Sequence, residues 1–159
     1  MPMPPAKLLE AIDRALESAL PTVARDPQIL PASPGSYLLL ARLAAPLPLS
    51  GSLAGHELPR GWHVYAGSAR GPGGLRARLG RHLRPEKRPR WHIDQLTMWA
   101  NALFALPFPA SENAPAPAEC ALIARLVESG AFSPPVPGFG SSDCRACPAH
   151  LLWWRGVAT

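Results

Sequence analysis

Arg78 and His82 stand four residues apart in a stretch with helical spacing, so their side chains stack on one side of the helix. An apolar stripe of the same helix, made by Leu75, Leu79 and Leu83, is expected to face a sheet. The arginine and the histidine flank this stripe and are predicted to lie where helix meets sheet, partly desolvated. An arginine fork matches the geometry of a phosphate and stays charged. A pair positioned in this way is better suited to chemistry on a phosphate than to solubility alone.

The positive charge of the chain is concentrated around this pair. Between Arg70 and Arg90 there are eight basic residues and one acidic residue, a net charge of +7. The rest of the chain has eight basic and ten acidic residues, or −2, so that the whole chain carries +5. Such a patch is typical of a protein that meets phosphates, although a run of charge can also be a solvated helix face.

A second class of basic residue is predicted on the outer side of the helix. Arg81 and Arg84 point away from the apolar stripe and are expected to project into water, free to contact a nucleic-acid backbone. The preceding residues 67–74 form a glycine-rich turn, where the backbone must bend or come close to a ligand. The residues predicted to bind nucleic acid are Gly67, Arg70, Arg76, Arg81, Arg84, Lys87, Arg88 and Arg90.

Two apolar stretches are predicted to be strands that carry tyrosines. Residues 35–43 are nearly all apolar, which indicates an internal strand, and alternation places Tyr37 and the other odd-numbered residues on one face. Residues 62–67 form the second strand, in which Tyr65 shares a face with its odd-numbered neighbours. The Pro/Gly/Ser-rich connection, residues 44–60, suits an antiparallel pair.

A later helix is predicted to open at Glu119, after a Pro/Ala linker. Its apolar stripe consists of Leu122, Ile123, Leu126 and Val127, and Glu119 projects into the middle of that stripe. A carboxylate aimed at a core costs stability unless it is paired, hydrated or bound to a metal. It can equally be a first-turn glutamate that the helix dipole favours and that reaches solvent.

Four further elements are expected. Apolar residues recur every four positions in residues 6–20, which predicts a helix ended by Pro21. Residues 91–96 indicate a second short helix and residues 98–108 a third strand. Residues 151–154 indicate an edge strand.

Length and composition indicate one domain. The chain has 159 residues, 21 prolines and three cysteines. The predicted division is an N-terminal accessory helix and linker over residues 1–30 and one domain over residues 31–159. The sequence shows no secretory leader and no apolar run that could span a bilayer, and an odd set of cysteines argues against a disulfide framework. We therefore expect a soluble cytoplasmic protein with no membrane partner.

The order of these motifs resembles the GIY-YIG nuclease superfamily. The tripeptides GSY at residues 35–37 and YAG at residues 65–67 correspond to the two motifs that name the superfamily, each with its central Ile replaced. Residues 91–94 (WHID), 119–120 (EC) and 142–144 (SDC) resemble one branch of it, whose domains occur alone or fused to endonuclease III-type DNA glycosylases. The resemblance implies an α+β fold, with a small three-stranded antiparallel sheet flanked by helices.

The resemblance also implies an activity, which is metal-dependent hydrolysis of phosphodiester bonds in DNA, with DNA repair as one setting and repair enzymes as partners. Glu119 would bind Mg²⁺ or Mn²⁺, and Arg78 would neutralise the scissile phosphate. Tyr37 and Tyr65 would lie beside the attacking water, with Tyr37 the better candidate to deprotonate it. The histidines would supply protons or hold the tyrosines and the phosphate. The implied catalytic residues are Tyr37, Tyr65, Arg78, His82, His92 and Glu119.

This chemistry is consistent with the residue types. Mg²⁺ keeps most of its waters and accepts as little as one carboxylate together with substrate oxygens. A tyrosine with an ordinary pKa near 10 is a poor base at neutral pH, so Tyr37 would need a metal or a cation nearby. Taken one at a time, Tyr65 can also be an ordinary strand aromatic, and His92 a helix-start residue packed beside Trp91.

The C-terminal cysteines offer a different chemistry. Cys144, Cys147 and His150, with Cys120 as a further candidate, have the residue types that bind zinc. A folded loop in which small cysteines and Asp143 pack against backbone is the simpler interpretation.

Two other functions are consistent with the sequence. One is a nucleic-acid-binding module that keeps the GIY-YIG fold without turnover, and the other is a zinc-stabilised interaction domain.

Overall fold

The computed structural model describes residues 1–17, 20–140 and 147–156, and it has the predicted α+β class. None of the helices in this part of the chain has the length and the apolar composition that a membrane crossing requires. In chain order, the elements of the described residues are α1 (Ala6–Leu16), β1 (Gly35–Leu43), β2 (Leu47–Pro48), β3 (Glu57–Leu58), β4 (Gly61–Ala69), α2 (Gly74–Leu83), α3 (His92–Thr97), β5 (Ala102–Pro109), α4 (Glu119–Glu128), β6 (Phe132–Ser133) and β7 (Leu151–Trp154).

The main sheet has five antiparallel strands in the order β5-β1-β4-β7-β6. The strands predicted over residues 35–43, 62–67 and 98–108 are the neighbouring strands β1, β4 and β5, but a sheet of only three strands was wrong. The two remaining strands are short: β6 has two residues and β7 has four. A two-residue strand has no alternation that a sequence pattern can reveal. The prediction of a strand over residues 151–154 is confirmed, but its predicted position at an edge was wrong, since β7 lies between β4 and β6.

Strand β1 is internal, as its apolar composition predicted, because it pairs with β4 on one side and with β5 on the other. Alternation sorts its side chains onto the two faces of the sheet. Tyr37 and Leu39 belong to the core on one face, and Leu38 and Leu40 belong to the core on the other. Tyr37 stands directly opposite Gly67 of β4.

Helices cover both faces of the sheet, each through its predicted apolar stripe. On the Tyr37 face, Leu75 and Leu79 of α2 are fully buried. On the other face, Leu122, Ile123 and Leu126 of α4 are buried, whereas Val127 is 38% exposed and does not belong to the stripe. At about 100° per residue, position 127 falls about 40° outside the arc that the other three define.

Helix α1 packs on α4 and ends earlier than its periodicity predicted. It stops at Leu16, where Glu17 takes the left-handed conformation with φ 54° and donates its N–H to the Asp13 carbonyl. Leu8 and Ile12 are fully buried in the core shared by α4 and the sheet. The accessory helix therefore contributes directly to this core, while the division at residue 30 stays a prediction.

We expect Ile12→Ala to lower the free energy of unfolding by about 2–5 kcal/mol, because it leaves a cavity in this core. The exposed Lys7→Ala on the same helix is the matched control and should change it by less than about 0.5 kcal/mol. Urea denaturation followed by circular dichroism measures both values. Equal, small effects of the two substitutions would show that α1 is not part of the cooperative unit.

Candidate active site

A cavity of about 220 Å³ opens on the sheet face that α2 and α3 cover. It collects side chains from β1, β4, α2 and α3, segments that are far apart in the sequence. Five of the six residues predicted to be catalytic meet on its wall. The lining residues are Tyr37, Tyr65, Arg78, His82, Arg90, Trp91, His92 and Gly140.

The innermost pair of the cavity is Tyr37 and His82, whose Oη and Nε2 atoms are 2.8 Å apart. Each residue is 1% exposed. Burial raises the pKa of Tyr37 far above its usual range, and burial together with the charge of Lys87 lowers the pKa of His82 to about 3. Both groups are therefore neutral at pH 7, a phenol and an uncharged imidazole.

The neutral His82 ring has a preferred tautomer. Its Nδ1 is buried and has no hydrogen-bond partner among the described residues. An orphaned buried N–H is costlier than an orphaned acceptor, so the proton belongs on Nε2, which then donates to Tyr37 Oη. The hydroxyl proton of Tyr37 is thereby left to point elsewhere.

Gly67 makes room for the Tyr37 ring rather than lying at an open surface. A Cβ atom on Gly67 would collide with the Oη and Cζ atoms of Tyr37. Gly67 is itself buried in β4. Its predicted role in letting a nucleic-acid backbone approach therefore has no support from its position, and its physical requirement is the tyrosine across the strand.

Tyr65 lies on the same face of the sheet, with its ring 6.4 Å from that of His82. Burial, and next the negative charge of Glu119, raise the pKa of Tyr65 to about 12. Both tyrosines consequently keep their protons at neutral pH. The phenols are donors in this state, and neither can act as a base unless additional positive charge lowers its pKa.

Trp91 gathers three guanidinium groups around its indole ring, a feature that the sequence analysis did not identify. The Cζ atoms of Arg78, Arg81 and Arg90 lie 4.7, 4.3 and 5.2 Å from the ring centroid. Arginine stacks favourably on an indole face. The ring thus holds Arg78 and Arg90 at the cavity, and the tryptophan next to an arginine-rich stretch was the signal available in the sequence.

Arg81 does not project into water as predicted. Its two terminal nitrogens each donate to one oxygen of Asp94 at 2.8 Å, and its side chain is 20% exposed. Asp94 is fully buried and also accepts the backbone N–H groups of Arg90 and Trp91. Burial alone would raise the pKa of Asp94, but these hydrogen bonds outweigh it and lower the pKa to about 2.

His92 is fixed on both ring nitrogens. Nδ1 accepts the N–H of Gly140 at 3.1 Å, so in the neutral ring Nε2 carries the proton and donates to Ser52 Oγ at 3.0 Å. In this tautomer His92 cannot remove a proton from Ser52. The residue is held in place at the edge of the cavity, as a hydrogen-bond donor.

Glu119 lies beside the cavity rather than on its wall. Its Oε1 accepts the hydroxyl proton of Ser68, and its Oε2 lies 3.3 Å from Nδ1 of His150. It lines a neighbouring pocket of about 290 Å³ together with Ser36, Ser68 and Arg70. It is close enough for its charge to raise the pKa of both Tyr37 and Tyr65. The Glu119 side chain is 26% exposed, so the carboxylate is neither fully buried in the core nor fully solvated.

Some of the remaining basic residues donate hydrogen bonds to backbone carbonyls, and several have exposed side chains. Lys87 donates from Nζ to the carbonyls of Arg81 and His82 at the end of α2, and burial lowers its pKa to about 8. Arg76 donates from Nε to the carbonyl of Leu30 while its side chain stays exposed. The exposed arginines of the predicted nucleic-acid-binding set are Arg70, Arg76, Arg84, Arg88 and Arg90.

A second cluster lies next to Glu119. One ligand atom each from Cys120, Cys147 and His150 lie within 4.8 Å of one another, so these residues could hold a metal. The sulfurs of Cys120 and Cys147 are also in disulfide contact, with Cα atoms 5.9 Å apart. Of the four residues in the zinc prediction, Cys120, Cys147 and His150 thus lie together. Cys144 lies outside the described residues, as does Asp143.

The fold and the cavity define the class of protein: an α+β domain with a tyrosine, arginine and histidine site on one sheet face. Residues 36–158 match the family described as "Domain of unknown function DUF123", and the chain belongs to this family. All six predicted catalytic residues lie within the matched range. No curated protein and no solved structure matches the chain significantly.

The contact of Gly67 with Tyr37 predicts that Gly67→Ala is destabilising. The added methyl must displace the tyrosine or spread the two strands, which costs about 1–3 kcal/mol of unfolding free energy. Gly71→Ala is the control, because nothing lies within 4 Å of a Cβ there. Thermal denaturation should show a lower Tm for Gly67→Ala alone, and equal Tm values would contradict the contact.

Breaking the Asp94–Arg81 pair should be costly at neutral pH and less so in acid. We expect Asp94→Asn to lose about 3–5 kcal/mol of unfolding free energy at pH 7, because it leaves Arg81 without its partner. The folded pKa of about 2 is below the ordinary 3.8, so the stabilisation is complete above about pH 4 and fades as the pH falls towards 2.

Urea denaturation from pH 7 to pH 3 measures this difference, with the exposed Glu86→Gln as the control. The gap between wild type and Asp94→Asn should narrow below pH 4, whereas Glu86→Gln should follow the wild type throughout. A gap that stays constant over the whole range would argue against the assigned pKa.

Proposed function

We propose that the protein is a divalent-metal-dependent nuclease that hydrolyses phosphodiester bonds in DNA and is a divergent member of the GIY-YIG superfamily. The observation that carries this proposal is the meeting of Tyr37, Tyr65, Arg78 and His82 in one cavity from three separate elements. Exposed arginines at and beyond the rim of this cavity suit a substrate that is a polyanion.

Binding of the scissile phosphate is assigned to Arg78. It lines the cavity, and its guanidinium lies 4.7 Å from the Trp91 ring centroid, which limits the number of conformations it must give up on binding. The neighbouring Arg81 is already paired with Asp94 and is unsuited to this role. Charge that develops on phosphate oxygens in the transition state is stabilised by a donor fixed in this way.

Glu119 is the residue assigned to the metal. Its carboxylate is partly exposed, and its two oxygens keep lone pairs beyond those that face Ser68 and His150, so a hard cation that needs only one protein carboxylate fits it. When bound, Mg²⁺ or Mn²⁺ supplies Lewis-acid stabilisation and lowers the pKa of its water. Because Glu119 lines the pocket next to the cavity that holds Arg78, we expect the substrate to span the cavity and this pocket.

The tyrosines and His82 are assigned to proton handling. With the Nε2 proton of His82 donated to Tyr37 Oη, the hydroxyl of Tyr37 is free to donate to, or exchange a proton with, a water in the cavity. The raised pKa of Tyr37 opposes the role of base, and the positive charge of Arg78 acts in the other direction. Tyr65, with a pKa of about 12, remains protonated and can donate to the leaving oxygen.

The exposed arginines suit recognition of the backbone rather than of bases. Arginine contacts to phosphates position a nucleic acid without reading its sequence. Such binding weakens steeply as salt increases, because each neutralised phosphate releases counterions. We therefore place the specificity in the shape of the DNA, which accords with a setting in DNA repair.

Purified protein with Mg²⁺ or Mn²⁺ is expected to nick or cleave plasmid, flap, junction or single-stranded DNA. Arg78→Ala should lower the cleavage rate by about 10²–10³-fold, because it removes a fixed donor to the developing charge. Glu119→Ala should abolish the metal dependence together with the activity. Single-turnover cleavage of end-labelled substrates measures both effects.

The controls are Arg14→Ala and Glu112→Ala, two exposed residues away from the cavity that should cleave at the wild-type rate. Circular dichroism and Tm values check that each variant is folded. Salt-dependent binding to every substrate without cleavage of any would refute the nuclease and favour the binding module. Full activity of both site variants would refute the assigned residues.

A further inference from the structure

We propose that Cys120, Cys147 and His150 form a zinc site and that Glu119 is the carboxylate that orients its histidine. One donor atom from each of the three residues lies within 4.8 Å of the others. Thiolate sulfur and imidazole nitrogen are the ligands that zinc prefers, and hard cations such as Mg²⁺ do not. The site is therefore distinct in chemistry from the one assigned to Glu119 in the nuclease.

The His150 ring is oriented as a zinc ligand would be. Its Nε2 faces the sulfur of Cys120 at 3.7 Å, and its Nδ1 faces Oε2 of Glu119 at 3.3 Å. A carboxylate at this position favours the tautomer with the proton on Nδ1, which leaves the lone pair of Nε2 directed at the sulfurs. Metal-binding histidines commonly donate their second N–H to a carboxylate in this manner.

The carboxylate is in turn held from the other side. Ser68 of β4 donates its hydroxyl proton to Oε1 of Glu119. The series of polar contacts from Ser68 through Glu119 to His150 thus resembles the residues behind the ligands of a metal site, which orient the ligands and adjust the metal affinity. A disulfide between Cys120 and Cys147 would need neither this histidine nor its carboxylate.

The backbone around His150 explains what zinc would hold together. The Ala66 N–H donates to the His150 carbonyl at 3.0 Å, and the His150 N–H donates to the Phe139 carbonyl at 2.9 Å. Cys120 lies in the first turn of α4, directly after Glu119. A bound ion would fasten the start of α4 to the segment that enters β7.

Tetrahedral zinc takes four ligands, of which the described residues supply three, so water or another donor completes the site. Both thiols must lose their protons, and hence zinc affinity should fall as the pH is lowered. The inference does not rest on the nuclease, because metal content is measured without any substrate.

The test uses the full chain, purified and kept under reductant without oxygen, with Zn²⁺ and Co²⁺ as probes. We expect about one zinc per chain by elemental analysis, and with Co²⁺ the intense near-ultraviolet band of cobalt–thiolate bonds. Zinc should raise the Tm, and a chelator should lower it. Because the Co²⁺ spectrum is recorded on the wild-type protein, a folding defect in a variant cannot affect this part of the test.

Variants assign the ligands. Cys120→Ser and Cys147→Ser should each lose the cobalt–thiolate band or weaken it, and the exposed His56→Ala should bind as the wild type does. Glu119→Gln should keep the band and lower zinc affinity by about 10–100-fold, as loss of an outer-shell carboxylate does. Affinity is read by competition with a chromophoric chelator.

Three results would overturn the site. These are reduced protein that takes up no zinc, a cobalt spectrum that neither cysteine substitution changes, and a Cys120–Cys147 disulfide that persists under reductant. A protein that binds zinc and cleaves nothing would support this site and refute the nuclease, so that the two proposals fail separately.

Discussion

The hydrogen bond between Tyr37 and His82 is the interaction on which the cavity depends. It joins the internal strand β1 to α2 and exists only because Gly67, directly across the β1–β4 pair, has no side chain. The same bond sets the chemistry of both partners. Burial keeps the phenol and the imidazole neutral, and the orphaned Nδ1 of the imidazole decides which way the proton between them points. The pairing of β1 with β4, the packing of α2 on the sheet and the position of the proton between Tyr37 and His82 therefore depend on one another.

The basic patch is less uniform than its charge indicates. Arg81 is committed to Asp94 and Lys87 to the last carbonyls of α2, so that part of the +7 stabilises the fold itself. The Trp91 ring then spaces the guanidiniums that remain at the cavity. Like charges packed this closely repel one another, and the buried carboxylate together with the indole ring offsets that repulsion. Among the exposed arginines, Arg90 is held against the Trp91 ring and Arg76 donates to the carbonyl of Leu30.

The sequence was sufficient to predict the features that repeat. The alternation that puts Tyr37 and Leu39 in one core, and the stripe of α2, follow from periods of two and 3.6 residues. Features without a period were missed, such as the two-residue strand β6. The pairing of Arg81 with Asp94 was missed for a different reason: an outward direction on a lone helix says nothing about the element that packs over it. Similarly, no local pattern reveals that Glu119 reaches His150, 31 residues away.

The position of β7 has a consequence for how the domain assembles. It is the last of the strands in the described residues, yet it lies between β4 and β6 and pairs with the side of β4 that β1 leaves free, some 80 residues earlier in the sequence. Contacts between residues so far apart in sequence close slowly. During synthesis the β5-β1-β4 half can form first, with the free side of β4 open to unwanted strand pairing until the C-terminal segment emerges. Two of the three proposed zinc ligands, Cys147 and His150, lie just before that strand, and the third, Cys120, lies in the first turn of α4. A bound ion would therefore favour the docking of β7 once both segments have been synthesised.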